Sequence, residues 1–337
     1  MNGGEPYAGR VTRPLIDGFG RVHRDLRISV TDRCNFRCGY CMPAEGLQWL
    51  PRSELLTFEE IERVARLLVE RHGIDSIRLT GGEPTVRADL SRLVRMLSDL
   101  DVDLALTTNG ATLGMTATGL VDAGLRRINV SLDSLRADRF ADLTLRDELG
   151  RVLDGIDAAL SAGLDPVKVN VVVMRGVNDD ELVDFARFGR DRGVVVRFIE
   201  FMPLDADEAW TSRSVVGVDE IVAQIGEVFP LEPVARTSAP ASRFRYRDGG
   251  GEIGVVASVT KSFCDSCDRV RLTADGQFRN CLFAIEEFDV RSLLRSGATD
   301  DEVGTMLERA VAAKWAGHGI GRVEFIRPAR SMSQIGG

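Results

Sequence analysis

The sequence predicts an α/β fold with a parallel sheet, and three observations carry that expectation. Between about residues 24 and 202, short runs rich in Val, Ile and Leu alternate with amphipathic stretches, roughly six times over. Each run is followed by a polar or glycine-containing segment. The distinctive motifs fall in those segments, at the C-terminal strand ends where βα loops gather chemistry in open and closed parallel sheets alike.

The strands are expected at 26–30, 76–80, 103–107, 127–131, 167–173 and 194–201. Helices fill the gaps. Thr57 with Glu60 forms a capping box ahead of an amphipathic run that Gly73 ends. Segments 89–100, 152–163 and 179–193 place apolar residues three and four apart. A cysteine-rich loop follows the first strand, GGEP (81–84) the second and TNG (108–110) the third. Ser131-Leu132-Asp133-Ser134 follows the fourth, and Met202-Pro203 closes the sixth. Near residue 205 the pattern breaks. One more helix is expected at 218–229, then a Pro/Ser/Ala linker at 233–242 and two antiparallel strands around a DGGG turn. Helices follow at about 288–296 and 300–315. The chain divides into a polar, flexible arm (1–20), the βα region (21–230) and a smaller C-terminal subdomain (231–337).

Hydrophobic residues at 44% and charged residues at 28% suit a globular core. A net charge of −8 argues against a nucleic-acid partner, so an anionic ligand would need a local cluster of Arg and Lys. No apolar run approaches the ~18 residues of a membrane span. The start MNGGEPYAGRVTRP lacks the apolar core of a secretory signal, which points to a cytoplasmic protein. In that reducing setting cysteines serve as ligands or catalysts rather than in disulfides.

The six cysteines form two triplets more than two hundred residues apart, which points to two metal centres. Cys34, Cys38 and Cys41 are spaced C-x3-C-x2-C on one loop. An iron–sulfur cube takes one thiolate per iron, so three leave one iron open to substrate. A zinc site with His23 as fourth ligand is the alternative. Cys264, Cys267 and Cys281 are spaced C-x2-C-x13-C, and there a zinc with His318 competes with a second cluster. Arg269 and Arg271 follow directly; alternating on a strand, they point to one side and could fork onto phosphate or carboxylate beside an open iron.

LRISVTDRCNFRCGYCMP, LTGGEP, TTNG, INVSLDS, KVN, RFIEFM, FCDSCDRVRL, Cys281 and a terminal Gly336-Gly337 occur in that order. Together, from about residue 20 to the C-terminus, they resemble the molybdenum cofactor biosynthesis protein A family. These are the GTP 3′,8-cyclases of the radical S-adenosylmethionine superfamily. The resemblance implies a partial (β/α)6 TIM-like barrel whose open side the C-terminal subdomain covers. It implies two [4Fe–4S] clusters: one on Cys34, Cys38 and Cys41 that reduces S-adenosylmethionine, and one on Cys264, Cys267 and Cys281 that binds GTP. The implied product is (8S)-3′,8-cyclo-7,8-dihydroguanosine 5′-triphosphate, passed to the accessory protein C of the same pathway. An electron donor and a homodimer are also implied. Carried over residue by residue, S-adenosylmethionine contacts fall on Tyr40, Gly82, Ser131 and Met202. GTP contacts fall on Arg27, Arg78, Thr107, Lys168, Arg269, Val270 and Arg271, with Gly336 and Gly337 assisting. Asp268 stands where Asn is more usual in the family. A peptide-modifying radical enzyme with an auxiliary cluster and a non-enzymatic iron–sulfur redox protein are the other readings of the same motifs.

Overall fold

Along the central strands every second residue is apolar and buried, and the residues between face the other way. In β5 (Val167–Val173) the four odd-numbered valines are buried, while Lys168, Asn170 and Val172 are half-buried on the opposite face. In β1 (Asp25–Ser29) Leu26 and Ile28 take the helix-facing side and Arg27 the other. Parallel strands with one face under helices require this alternation. The computed structural model describes residues 13–205, 210–235, 239–320 and 325–336.

The other strands of the first half are β2 (Ser76–Thr80), β3 (Asp103–Thr108), β4 (Arg127–Ser131) and β6 (Val195–Glu200). The strands β1 to β6 lie side by side in chain order, all parallel. Helices α1 (Phe58–His72), α2 (Leu90–Ser98), α3 (Leu113–Asp122), α4 (Ala137–Thr144), α5 (Leu149–Ser161) and α6 (Leu182–Arg192) connect them. The capping box at Thr57 forms as expected: its hydroxyl accepts from Glu60 N at 3.1 Å, and the Glu60 carboxylate accepts from Thr57 N at 2.8 Å. The sheet curls into a partial barrel. Arg27 on β1 and Arg197 on β6 stand at opposite ends of this six-strand run, yet the Arg27 charge helps depress the Arg197 pKa.

The C-terminal part covers the open side by extending the sheet at both edges. After α7 (Val218–Val228), β7 (Leu231–Pro233), β8 (Ser242–Tyr246) and β9 (Glu252–Val256) follow, and β9 adds to β6 in parallel. On the other edge β10 (Arg269–Leu272) pairs in parallel with β1. It is followed by the antiparallel β11 (Gln277–Arg279) and β12 (Phe288–Asp289). Helices α8 (Val290–Arg295), α9 (Asp300–Ala312) and the short α10 (Met332–Ile335) complete the order.

One expectation needs correction. The polar arm expected through residue 20 is anchored from Leu15 onward, because Ile16 and Val22 bridge a small hairpin that buries Leu15 and Asp17. Residues 1–12 of that arm lie outside the described residues. No helix of the described residues is long and apolar enough to cross a membrane.

Candidate active site at the strand ends

The loop after β1 turns tightly through its cysteines. Cys41 N and Met42 N donate to the Cys38 carbonyl at 2.8 and 2.9 Å. Phe36 N donates to Cys34 Sγ at 3.4 Å. GGEP holds this loop from beneath, since Gly82 N donates to the Thr31 carbonyl and Glu83 N to that of Arg33, both at 2.8 Å. A Cβ on Gly82 would stand 2.4 Å from the Arg33 carbonyl oxygen, so the approach needs glycine. Glu83 is buried and gathers the neighbouring loops. It accepts from the Thr85 and Thr108 hydroxyls at 2.5 and 2.6 Å and from Asn109 N at 2.6 Å. Tyr40 donates to Asp133 at 2.6 Å, and Val172 N donates to the same carboxylate at 2.7 Å. Burial pushes the Cys34 thiol up to about 11 and the Cys41 thiol up to about 12.

In the second triplet Cys267 meets the opposite electrostatics. Cys264 and Cys267 share a turn closed by Cys267 N on the Cys264 carbonyl at 3.1 Å. Burial alone would raise the Cys267 thiol, but Arg269 and Lys314 outweigh it and bring it down to about 6. Glu200, fully buried at the end of β6, accepts from Val259 N at 2.7 Å and Thr260 N at 2.8 Å and so fixes the approach to Cys264. All six cysteines are free thiols. Both triplets line one cavity, shared with the strand ends of the barrel. Among the described residues no three His, Cys, Asp or Glu side chains converge on a single ion. His318 lines the cavity beside Phe283, ring centroids 5.1 Å apart. His23 does not reach the first triplet; its Nε2 stands 2.8 Å from Lys314 Nζ, on the side of the second.

Between the triplets runs a row of arginines. Arg271 on β10, Arg27 on β1 and Arg78 on β2 are register partners across adjacent strands. The Nε of each is buried without a hydrogen-bond partner. Like charges side by side in a sheet destabilise it. Burial first, then the neighbouring cations, lowers Arg27 and Arg271 to about 9. Burial likewise lowers Arg78 and Arg197 to about 10 and Lys168 to about 8. Arg269 is held above its usual range; Cys267 and Asp25 overcome the cost of its burial.

Of the residues singled out in the sequence, Tyr40, Gly82, Ser131 and Met202 line this cavity. So do Arg27, Arg78, Thr107, Arg269 and Arg271. Lys168 shares the inward face with Asn170 but lies deeper along β5, outside the cavity lining. Val270 is fully buried on the opposite face of β10 and does not line the cavity. The tail folds inward: Met332 lines the cavity and Ser29 Oγ donates to the Ile335 carbonyl at 3.1 Å. A Cβ on Gly336 would stand 2.1 Å from Ser29 Oγ, and Gly337 lies outside the described residues. Sequence reasoning missed Arg197, which lines the cavity and donates to Asn170 Oδ1 at 2.9 Å and Asn129 Oδ1 at 2.6 Å. The signal existed, a lone charge in an apolar strand, as for Arg27 and Arg78.

Residues 28–189 match the radical SAM superfamily, and residues 194–320 match the Molybdenum Cofactor Synthesis C family. A structure of Streptococcus suis SuiB bound to S-adenosylmethionine has a similar fold, at a TM-score of 0.57 and 13% identity over 85% of this chain and 68% of that one. The GTP 3′,8-cyclase of Rhodopirellula baltica is 48% identical, over 98% of this chain and 95% of the relative. That of Streptomyces coelicolor is 49% identical over 96% of each. The chain belongs to the GTP 3′,8-cyclase family of the radical SAM superfamily. Membership implies a [4Fe–4S] cluster and S-adenosylmethionine, and three unpaired thiols on one tight turn at a cavity wall fit that cluster.

Proposed function

We propose that the chain converts GTP to (8S)-3′,8-cyclo-7,8-dihydroguanosine 5′-triphosphate in a cavity between two [4Fe–4S] clusters. Cys34, Cys38 and Cys41 hold the first, and Cys264, Cys267 and Cys281 the second. When bound, the first cluster and S-adenosylmethionine supply the 5′-deoxyadenosyl radical that takes hydrogen from C3′ of GTP. Closure of C3′ onto C8, with one further electron and one proton, completes the product, and 5′-deoxyadenosine and methionine leave.

The observation that carries the substrate assignment is the in-register row Arg271–Arg27–Arg78 with its unpartnered Nε atoms. Two buried guanidinium groups and a half-buried third, with only Asp25 as a nearby carboxylate and none in an ion pair among the described residues, call for an anion of several charges, and a triphosphate supplies it. Thr107 and Arg269 border the same anion, and Lys168 and Arg197 extend the positive field inward. Val270, facing away, we assign to packing. On the other side Tyr40, Gly82, Ser131 and Met202 contact S-adenosylmethionine. Tyr40 is held in place by its bond to Asp133, and the bare backbone of Gly82 admits the methionyl end. The tail up to Gly336 closes the floor beside Ser29. In this reading the region 21–230 generates the radical and shares the seating of the substrate with 231–337, which adds the second cysteine triplet, Arg269 and Arg271. A reductant, a homodimeric partner and the accessory protein C that consumes the product complete the setting.

Binding of GTP and of guanosine to the reconstituted protein tests the assignment. GTP is expected to bind at least ~100-fold more tightly, with an affinity that falls as salt rises. Equal affinities would remove the arginine row from substrate binding.

A further inference from the structure

Lys314, just beyond α9, is buried, with only 4% of its surface exposed. Among the described residues no carboxylate forms an ion pair with it. Its Nζ donates to the Arg269 carbonyl at 2.8 Å and stands 2.8 Å from His23 Nε2. The His23 Nδ1 faces the Leu15 carbonyl at 3.4 Å, so a proton on Nδ1 leaves Nε2 free to accept from the ammonium. The remaining donor direction leads to Cys267, with the carbonyl at 3.5 Å and Sγ at 3.7 Å. A buried ammonium among neutral acceptors is costly, and the negative groups that bear on it are the sulfurs of Cys267, in contact, and Cys281. The surroundings of the first triplet differ: Glu83 and Asp133 are the acidic charges that bear on Cys34 and Cys38.

We propose that Lys314 is a positioning residue for the second cluster, its ammonium holding Cys267 and offsetting the negative charge of the cluster that this thiolate binds. The inference rests on the two-cluster reading given above. A cation beside a ligating sulfur favours the reduced, more negative form of an iron–sulfur centre and so raises its potential. Lys314 contacts Cys267, and the other cysteine that bears on it, Cys281, belongs to the same triplet, so its effect should fall on one cluster only.

The test uses the full chain, reconstituted anaerobically, with iron and sulfide counts and a potentiometric titration followed by electron paramagnetic resonance. Lys314→Met is expected to move the potential of the second cluster to more negative values while that of the first stays put, and Lys314→Arg to keep both near the parent values. Selective loss of the second cluster in Lys314→Met, with retention in Lys314→Arg, supports the same role. An unmoved second potential in Lys314→Met overturns it. So does equal loss of that cluster in both variants, or loss of both clusters together, since each would make Lys314 a packing residue. About eight irons in the parent protein is the premise; about four would overturn the two-cluster reading itself, whatever the variants do.

Discussion

Arg271→Met is expected to weaken GTP binding about 100-fold while both iron–sulfur centres remain in place. Removing one partner of a buried, hydrogen-bonded charge pair costs about 2–5 kcal/mol, and about 3 kcal/mol corresponds to that factor. Arg271 is buried, sits in register with Arg27, and leaves its Nε without a protein partner. Its energetic purpose is therefore not met inside the ligand-free fold. Methionine fills much of the same space and relieves repulsion along the row. The ligand-free variant should accordingly unfold at the same or a slightly higher temperature than the parent, a gain of about 1 kcal/mol. Calorimetric GTP titration, an iron count and a melting curve on one preparation check the three statements together. Lost iron or a lower melting temperature with unchanged GTP affinity would make Arg271 a structural residue.

Gly82→Ala should cost the first cluster and spare the second. The added Cβ would meet the Arg33 carbonyl oxygen at 2.4 Å and that of Asp32 at 2.7 Å. Both are backbone atoms, so no side-chain adjustment can relieve the contact. The segment leading into Cys34 has to shift, breaking the 2.8 Å bonds from Gly82 N and Glu83 N that dock the two loops. Overpacking of this kind costs about 1–3 kcal/mol, which leaves a domain of this size folded. Iron content is expected to fall to about half, as the loss of one of two cubes requires. Deoxyadenosine formation from S-adenosylmethionine should disappear with it. Full iron and normal turnover in this variant would show that the loop tolerates the shift and that GGEP does not set its position.

Much of the barrel was legible because apolar periodicity reports one-sided burial. The strand 167–173 and its inward-facing Lys168 can be read from alternation alone. Helix α3 is hard to read from pattern, since only Leu113, Ala117 and Leu120 of LGMTATGLVD are buried while the apolar Met115 faces out. The cysteine triplets were legible as candidate ligand sets because their thiols recur at motif spacings, C-x3-C-x2-C and C-x2-C-x13-C. The arginine row was not, because Arg271 and Arg27 are far apart in the chain and pairing between β10 and β1 is a property of the folded sheet. Leu15 looked like part of a polar arm because the segment before it, MNGGEPYAGRVTRP, holds no apolar run, yet the hairpin around it docks beside the second triplet: Arg21 donates to the carbonyls of Cys264 and Ala316 at 2.7 and 2.8 Å. Lys314 gave no signal in sequence, since a lysine at a helix C-terminus ordinarily answers the helix dipole in solvent.

Whether the protein takes hydrogen from C3′ of GTP is settled by anaerobic incubation of the reconstituted protein with dithionite, S-adenosylmethionine and GTP deuterated at C3′. The expected products are 5′-deoxyadenosine carrying the deuterium and a guanosine triphosphate cyclised between C3′ and C8. Unlabelled deoxyadenosine formed equally with and without GTP, and no cyclised nucleotide, would contradict the assignment.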